Sequence, residues 1–160
     1  MTESSLEARL AAVEARVAEL EALEAIRDLI SRYGPAADAC DASAIAALWT
    51  SDGAYAFDDT VLTGEQLAGL VELDTHRELV DAGCAHVLTA PRIDLDGDRA
   101  VAVCHSIVFK RSDDAWLPAR VSANRWELVH TRSGWLVERR VNRLLNGAEA
   151  ARALLASSVR

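Results

Sequence analysis

The spacing of apolar residues changes once along the chain. From Ser5 to about Tyr33 they recur every three or four positions. Leu6, Leu10, Val13, Val17 and Leu20 step by four and three, which is a heptad seam, and the stripe then moves to Leu23, Ile26, Leu29 and Ile30. One long helix is predicted with two roles. Its second half covers a core. Its first half pairs with another chain or extends into solvent. Gly34-Pro35 predicts a break or kink, because proline lacks the amide donor and disfavours helix at the residue before it. A short helical turn carrying Ala36 to Asp38 follows. Ala42 to Trp49 reads as a second helix capped by Asp41 or Ser43. Asp52-Gly53 is a turn, Ala54 to Phe57 a short strand, and Asp58-Asp59 a second turn. Thr63-Gly64-Glu65 opens a third helix to about Asp81, with Leu67, Leu70, Val71 and Leu79 on its apolar side.

Beyond Gly83 the period becomes two. Ala85 to Leu95 reads as a strand, Asp96-Gly97-Asp98 as a tight hairpin turn, and Arg99 to Lys110 as the partner strand. Leu117 to Thr131 and Trp135 to Leu144 are two more strands, joined by Arg132-Ser133-Gly134. Ala148 to Ala156 is a weak terminal helix. Helices first and a meander of long antiparallel strands after them argue for α+β, with the sheet curled over the helices.

Composition narrows the function classes. A chain of 160 residues, about half of them apolar (51%), fits one domain with a real core. The net charge of -8 leaves no basic track for nucleic acid. Arg139, Arg140 and Arg143 form the densest basic cluster, but apolar residues interleave them in a strand, as in a pocket wall. No run reaches the ~20 apolar residues of a membrane span, and no export signal is read at the acidic N-terminus. Cys40, Cys84 and Cys104 show no CxxC spacing and read as reduced thiols of a cytoplasmic protein. The histidines lack HxH and HExxH spacing, so a metal is not expected.

The candidate chemistry lies in Tyr33, Asp38, His86 and His105. A phenol, a carboxylate and two imidazoles are the parts for moving a proton on and off a small molecule. A carboxylate beside an imidazole fixes its tautomer and leaves the other nitrogen as base. Each residue also has an ordinary structural reading. Asp38 can cap a helix end, His86 and His105 can be hydrogen-bonded strand residues, and Tyr33 can be a packing aromatic. His105 shares a strand face with Val101, Val103, Ile107 and Phe109. Trp49, Trp126 and Trp135 read as core or pocket wall, and Trp49 is also a candidate substrate contact. Arg140 and Asn142 share one face of the last strand and would anchor a polar substrate group if that face meets a cavity. His76 and His130 read as surface residues.

Several segments together resemble the nuclear transport factor 2-like superfamily, and within it the SnoaL-like group of scytalone dehydratase, bile acid dehydratase and hexachlorocyclohexane dehydrochlorinase. They are Glu24-Ala-Ile-Arg-Asp-Leu-Ile-Ser-Arg-Tyr33 with Ala-Ala-Asp38, Ala46-Ala-Leu-Trp49, Asp52-Gly-Ala-Tyr55, His86-Val-Leu-Thr89, Ile93-Asp-Leu-Asp-Gly-Asp-Arg-Ala100 and Gly134-Trp-Leu-Val-Glu-Arg-Arg140. The resemblance covers roughly residues 23–147. It leaves 1–22 as a helical extension and 148–160 as a C-terminal helix or tail. It implies a cone: a bent sheet wrapping three helices around one deep apolar pocket. Asp38 and His86 match the aspartate and histidine of the catalytic members, and Tyr33 matches a tyrosine of bile acid dehydratase. His105 falls near a second strand histidine of scytalone dehydratase, and Ser122 and Asn124 near a pocket serine and asparagine of that enzyme, which implies substrate contacts for both. The chain departs from its relatives at Thr89-Ala90, where they often carry Thr-Asn. It also departs at Ala37 and Tyr33, which stand where particular relatives have tyrosine and lysine.

The resemblance implies a cofactor-independent lyase. Its reaction would be a dehydration of a small hydrophobic cyclic hydroxy-carbonyl compound on an Asp38–His86 dyad. Isomerisation or aldol-type cyclisation of polyketide-like or steroid-like substrates uses the same proton transfers. Binding of a small molecule without chemistry is the third reading. The relatives' habit of burying the outer sheet face implies a homo-oligomer, a trimer or a dimer.

Overall fold

The coordinates are a computed structural model that describes residues 3–157. Helix α1, Glu3–Asp38, is continuous, with Pro35 inside it. The expected break at Gly34-Pro35 is therefore corrected. A proline this close to the C-terminus removes one helical donor in the last turn, and the helix still closes beyond it, with Ala39 N–H bonded to Pro35 O at 2.9 Å. Termination comes from Cys40, which takes a left-handed φ of 52°. Asp41 N–H returns to Ala36 O at 2.9 Å and Cys40 N–H to Ala37 O at 3.1 Å. That paired return is a Schellman closure, and it fixes Asp38 in the final turn.

Helix α2 is shorter than expected, Ala42–Ala46, with the Asp41 carboxylate accepting Ala44 N–H at 2.9 Å. Strand β1 takes up the slack as Trp49–Phe57, and Asp52-Gly53 lies inside it at a register irregularity rather than at a turn. A hairpin leads to β2, Thr60–Thr63, a strand the apolar pattern did not reveal. The third expected helix is two pieces, a 3₁₀ helix Gly64–Glu72 and α3, Asp74–Ala82. The expected strand from Ala85 to Leu95 is also two, β3, Cys84–Leu88, and β4, Arg92–Asp96. Both pair antiparallel with β5, Arg99–Ser112. At their junction Thr89 N–H bonds to His105 O at 3.0 Å and Thr89 Oγ1 accepts His105 N–H at 3.1 Å. Strands β6, Ala115–Thr131, and β7, Gly134–Leu144, complete the meander, and α4, Glu149–Ala156, follows.

The sheet runs β2-β1-β7-β6-β5-β3, with β4 also on β5. One pair, β1 with β7, is parallel, so the sheet is not wholly antiparallel. The α+β architecture with a curved sheet over N-terminal helices stands as expected. Ile26, Leu29, Ile30 and Tyr33 of α1 pack on the inner face with Trp126, Leu128 and Val137. On the outer face Val101, Val103 and Ala123 are buried where α4 packs against the sheet. The seam residues Leu6, Leu10, Val13, Val17 and Leu20 are all exposed, at 46 to 59%.

Candidate active site

Cross-strand register lines up the inner face. Tyr55 lies opposite Arg140 and Arg140 opposite Trp126. Phe57 lies opposite Asn142 and Asn142 opposite Asn124. Ser122 faces Ser106, and Val108 faces His86. Where α1, α3 and this face diverge there is a cavity of about 430 Å³, within the size range of small-molecule sites. Tyr33, Tyr55, His76, His86, Ser106, Arg140 and Asn142 line it among apolar residues such as Leu70, Leu79, Leu88 and Val108.

Asp38, from the last turn of α1, sits behind His86. Its Oδ1 lies 2.7 Å from His86 Nδ1. The backbone N–H of His86 donates to both carboxylate oxygens, at 3.1 and 3.0 Å. The His86 side chain is 13% exposed. Burial lowers its pKa below the ordinary value of 6.5, and the nearby His76 and Arg140 add to this, while the bond and charge of Asp38 oppose them. The ring is therefore neutral near pH 7. The contact is a hydrogen bond from Nδ1–H to the carboxylate rather than an ion pair, and Nε2 is the free basic nitrogen of a cavity-lining ring.

Gly34 makes this possible. A Cβ there would collide with the His86 carbonyl oxygen, so α1 and β3 meet backbone to backbone. Cys84 lies beside the pair, its thiol donating to Asp38 Oδ1 at 3.5 Å. Burial, with the Asp38 charge, pushes that thiol up to about 11, so it is no thiolate nucleophile. Asp38, Cys84 and His86 bring three ligand atoms within 4.8 Å of one another. Such a set suits a divalent cation only after the thiol and imidazole protons that bond the carboxylate have left.

A second group surrounds Arg140, which is 2% exposed. Its guanidinium carbon lies 3.9, 4.4 and 4.2 Å from the ring centres of Tyr33, Tyr55 and Trp126. Its Nε and Nη2 both donate to Asn124 Oδ1, at 3.0 and 2.8 Å. Desolvation raises the Tyr55 phenol well above the usual tyrosine range, which keeps it protonated. At the rim Arg120 makes a two-pronged bond to Asp58, 2.8 Å on each side.

Tyr33, His86, Arg140 and Asn142 thus come together at the cavity, with Asp38 one layer behind. Three expectations need correction. His105 is exposed and absent from the lining, because Ser106 and Val108 take the inner face of β5. Ser122 and Asn124 are fully buried beneath the lining and hold Arg120 and Arg140 instead of meeting a ligand. Trp49 packs against Tyr55 and Trp126 behind the wall.

His76, expected at the surface, is 7% exposed and lines the cavity. Its Nε2 lies 2.9 Å from Ala37 O, and its ring stacks on His86 at 5.5 Å between centres. The available signal was its place three residues before Leu79. The change from 3₁₀ to α at Leu73 threw that phase off. His130 is exposed, as expected.

Residues 18–141 match the family described as the SnoaL-like domain. The chain belongs to the SnoaL-like family. A nuclear transport factor 2-like protein of cystatin-like fold from Novosphingobium aromaticivorans is 46% identical over 91% of this chain and 96% of its own, with a TM-score of 0.88. A protein of unknown function from Mycobacterium tuberculosis shares the fold at 22% identity and a TM-score of 0.70, over 90% of this chain and 88% of its own. So does a candidate dehydratase of the same superfamily from Streptomyces avermitilis, at 14% identity and a TM-score of 0.59, over 77% and 95%. No match was found among curated proteins. Among the described residues no helix of this SnoaL-like domain is long and apolar enough to cross a membrane.

Proposed function

We propose that the protein is a cofactor-independent lyase that removes water from a small hydrophobic cyclic hydroxy-carbonyl compound. The observation that carries this is the 2.7 Å bond between Asp38 and Nδ1 of a cavity-lining His86. Nε2 of His86 takes the proton next to the carbonyl. The Tyr33 hydroxyl donates to the enolate oxygen. The imidazolium, stabilised by Asp38, returns the proton to the hydroxyl on the neighbouring carbon. The C–O bond breaks, and water leaves as the double bond forms. Every proton returns to its source or departs with the product, so no co-reactant is needed. The apolar lining strengthens each of these contacts.

The test is a screen of ketone-bearing alcohols with the native chain, His86→Ala and Asp38→Asn. Loss of water by product mass, abolished in His86→Ala, is expected. Full turnover in either variant refutes the dyad. A product of unchanged mass, formed only with an intact His86, would indicate isomerisation or cyclisation on the same groups.

The same proposal places the chain in the cytoplasm, where its three free cysteines stay reduced, and in a homo-oligomer. The exposed heptad seam of α1 supports self-association. A single-chain mass by light scattering would contradict it.

A further inference from the structure

We infer that the floor of the cavity is an anion subsite and that its ligand is a hydrophobic ring compound bearing a carboxylate. Taking that ligand to be the substrate rests on the lyase reading; the subsite itself does not. Arginine stays charged wherever it is buried. Arg140 is 2% exposed, and no carboxylate lies within 4 Å of it among the described residues. Its charge rests on three aromatic faces and one amide oxygen. Its Nη1 is buried with no acceptor among the described residues.

The surrounding network has more donors than acceptors. Asn124 Oδ1 takes Arg140 Nε, Arg140 Nη2 and Asn142 Nδ2, three donors on an oxygen with two lone pairs. Asn142 Oδ1 is occupied by Arg120 at 2.9 Å. Ser106 Oγ accepts from Asn124 at 2.8 Å and from Asn142 at 3.5 Å, which leaves its own proton to give. Ser106, Arg140 and Asn142 all line the cavity.

An acceptor is the group this floor lacks, and a negative charge is what its cation lacks. Arg120 is already matched by Asp58, and Asp38 is engaged by His86 and Cys84. One uncompensated cation calls for one negative charge. A carboxylate supplies it with two acceptor oxygens, one for the guanidinium and one for Ser106. A phosphate would need further cations, and the Leu70, Leu79, Leu88 and Val108 wall suits a hydrocarbon ring.

The experiment is calorimetric titration of the purified chain at neutral pH with 2-naphthoate and its neutral isostere 2-naphthamide. The acid is expected to bind at least about tenfold tighter than the amide. Arg140→Met should bring the ratio near one, Arg140→Lys should keep part of it, and Ser106→Ala should lower it several-fold. Because Arg140 is buried, its variants count only with a native circular dichroism spectrum. The wild-type ratio and Ser106→Ala decide the matter without them. An amide that binds as tightly as the acid overturns the proposal, as does no binding of either at millimolar concentration. His86→Ala is expected to keep the preference for the acid. Failure of the dyad and failure of the subsite are therefore separate results.

Discussion

The Asp38 carboxylate holds both ends of His86: it accepts the ring Nδ1–H at 2.7 Å and the backbone N–H at 3.0 and 3.1 Å. One anion therefore sets the tautomer of the ring and pins the end of α1 to β3. Ring orientation and docking share a residue.

Asp38→Asn should cost turnover by about 10² or more, because the amide can turn its NH2 to Nδ1 and favour the wrong tautomer, and it carries no charge to stabilise the imidazolium. The same substitution is expected to lower the melting temperature, since His86 N–H loses its anionic acceptor. Steady-state rates and a thermal scan on one preparation check both.

His86 titrates below 6.5, chiefly because it is buried. Protonation is harder in the folded chain than in the unfolded one, so the neutral ring supports stability above the unfolded value. That support fades as pH falls below about 6.5 and is gone once the folded ring has titrated. The acid limb of kcat/KM should likewise lie below 6.5. His76→Phe removes one of the neighbours that lower the value, and a ring-proton NMR titration should then find His86 moved upward.

Gly34→Ala should destabilise the fold by about 2 kcal/mol or more, since the added methyl meets a backbone carbonyl that no rotamer can move. Urea unfolding measures it. A native midpoint would mean that α1 and β3 are not held this closely.

Leu29→Ala and Leu10→Ala change the same residue type on the same helix. Leu29 is 2% exposed and should cost about 2–5 kcal/mol. Leu10 is 57% exposed and should cost no more than about 0.5 kcal/mol in the dilute chain. Equal losses would place α1 differently on the sheet.

The candidate site was legible in part. Asp38, His86 and Tyr33 stood out because their residue types and spacing resemble those of the catalytic members of the superfamily. Which face of β5 turns inward was not legible. Val101, Ala102, Val103 and Cys104 are buried in succession because the helices cover one face and α4 the other. Alternation then carries no inside–outside label, and a one-residue choice exchanges His105 for Ser106. His76 was missed for a related reason: a switch of helix type resets the angular phase from which a face is read.

The sequence by itself determined the period of each long element, the hairpin turns and the succession of helices before strands, because these depend on neighbours a few residues apart. Only the tertiary structure decided the parallel pairing of β1 with β7, the meeting of Asp38 with a ring 48 positions further on, and the three aromatic faces around Arg140. Those contacts join segments far apart in the chain, and local spacing carries no information about which distant partner will close on them.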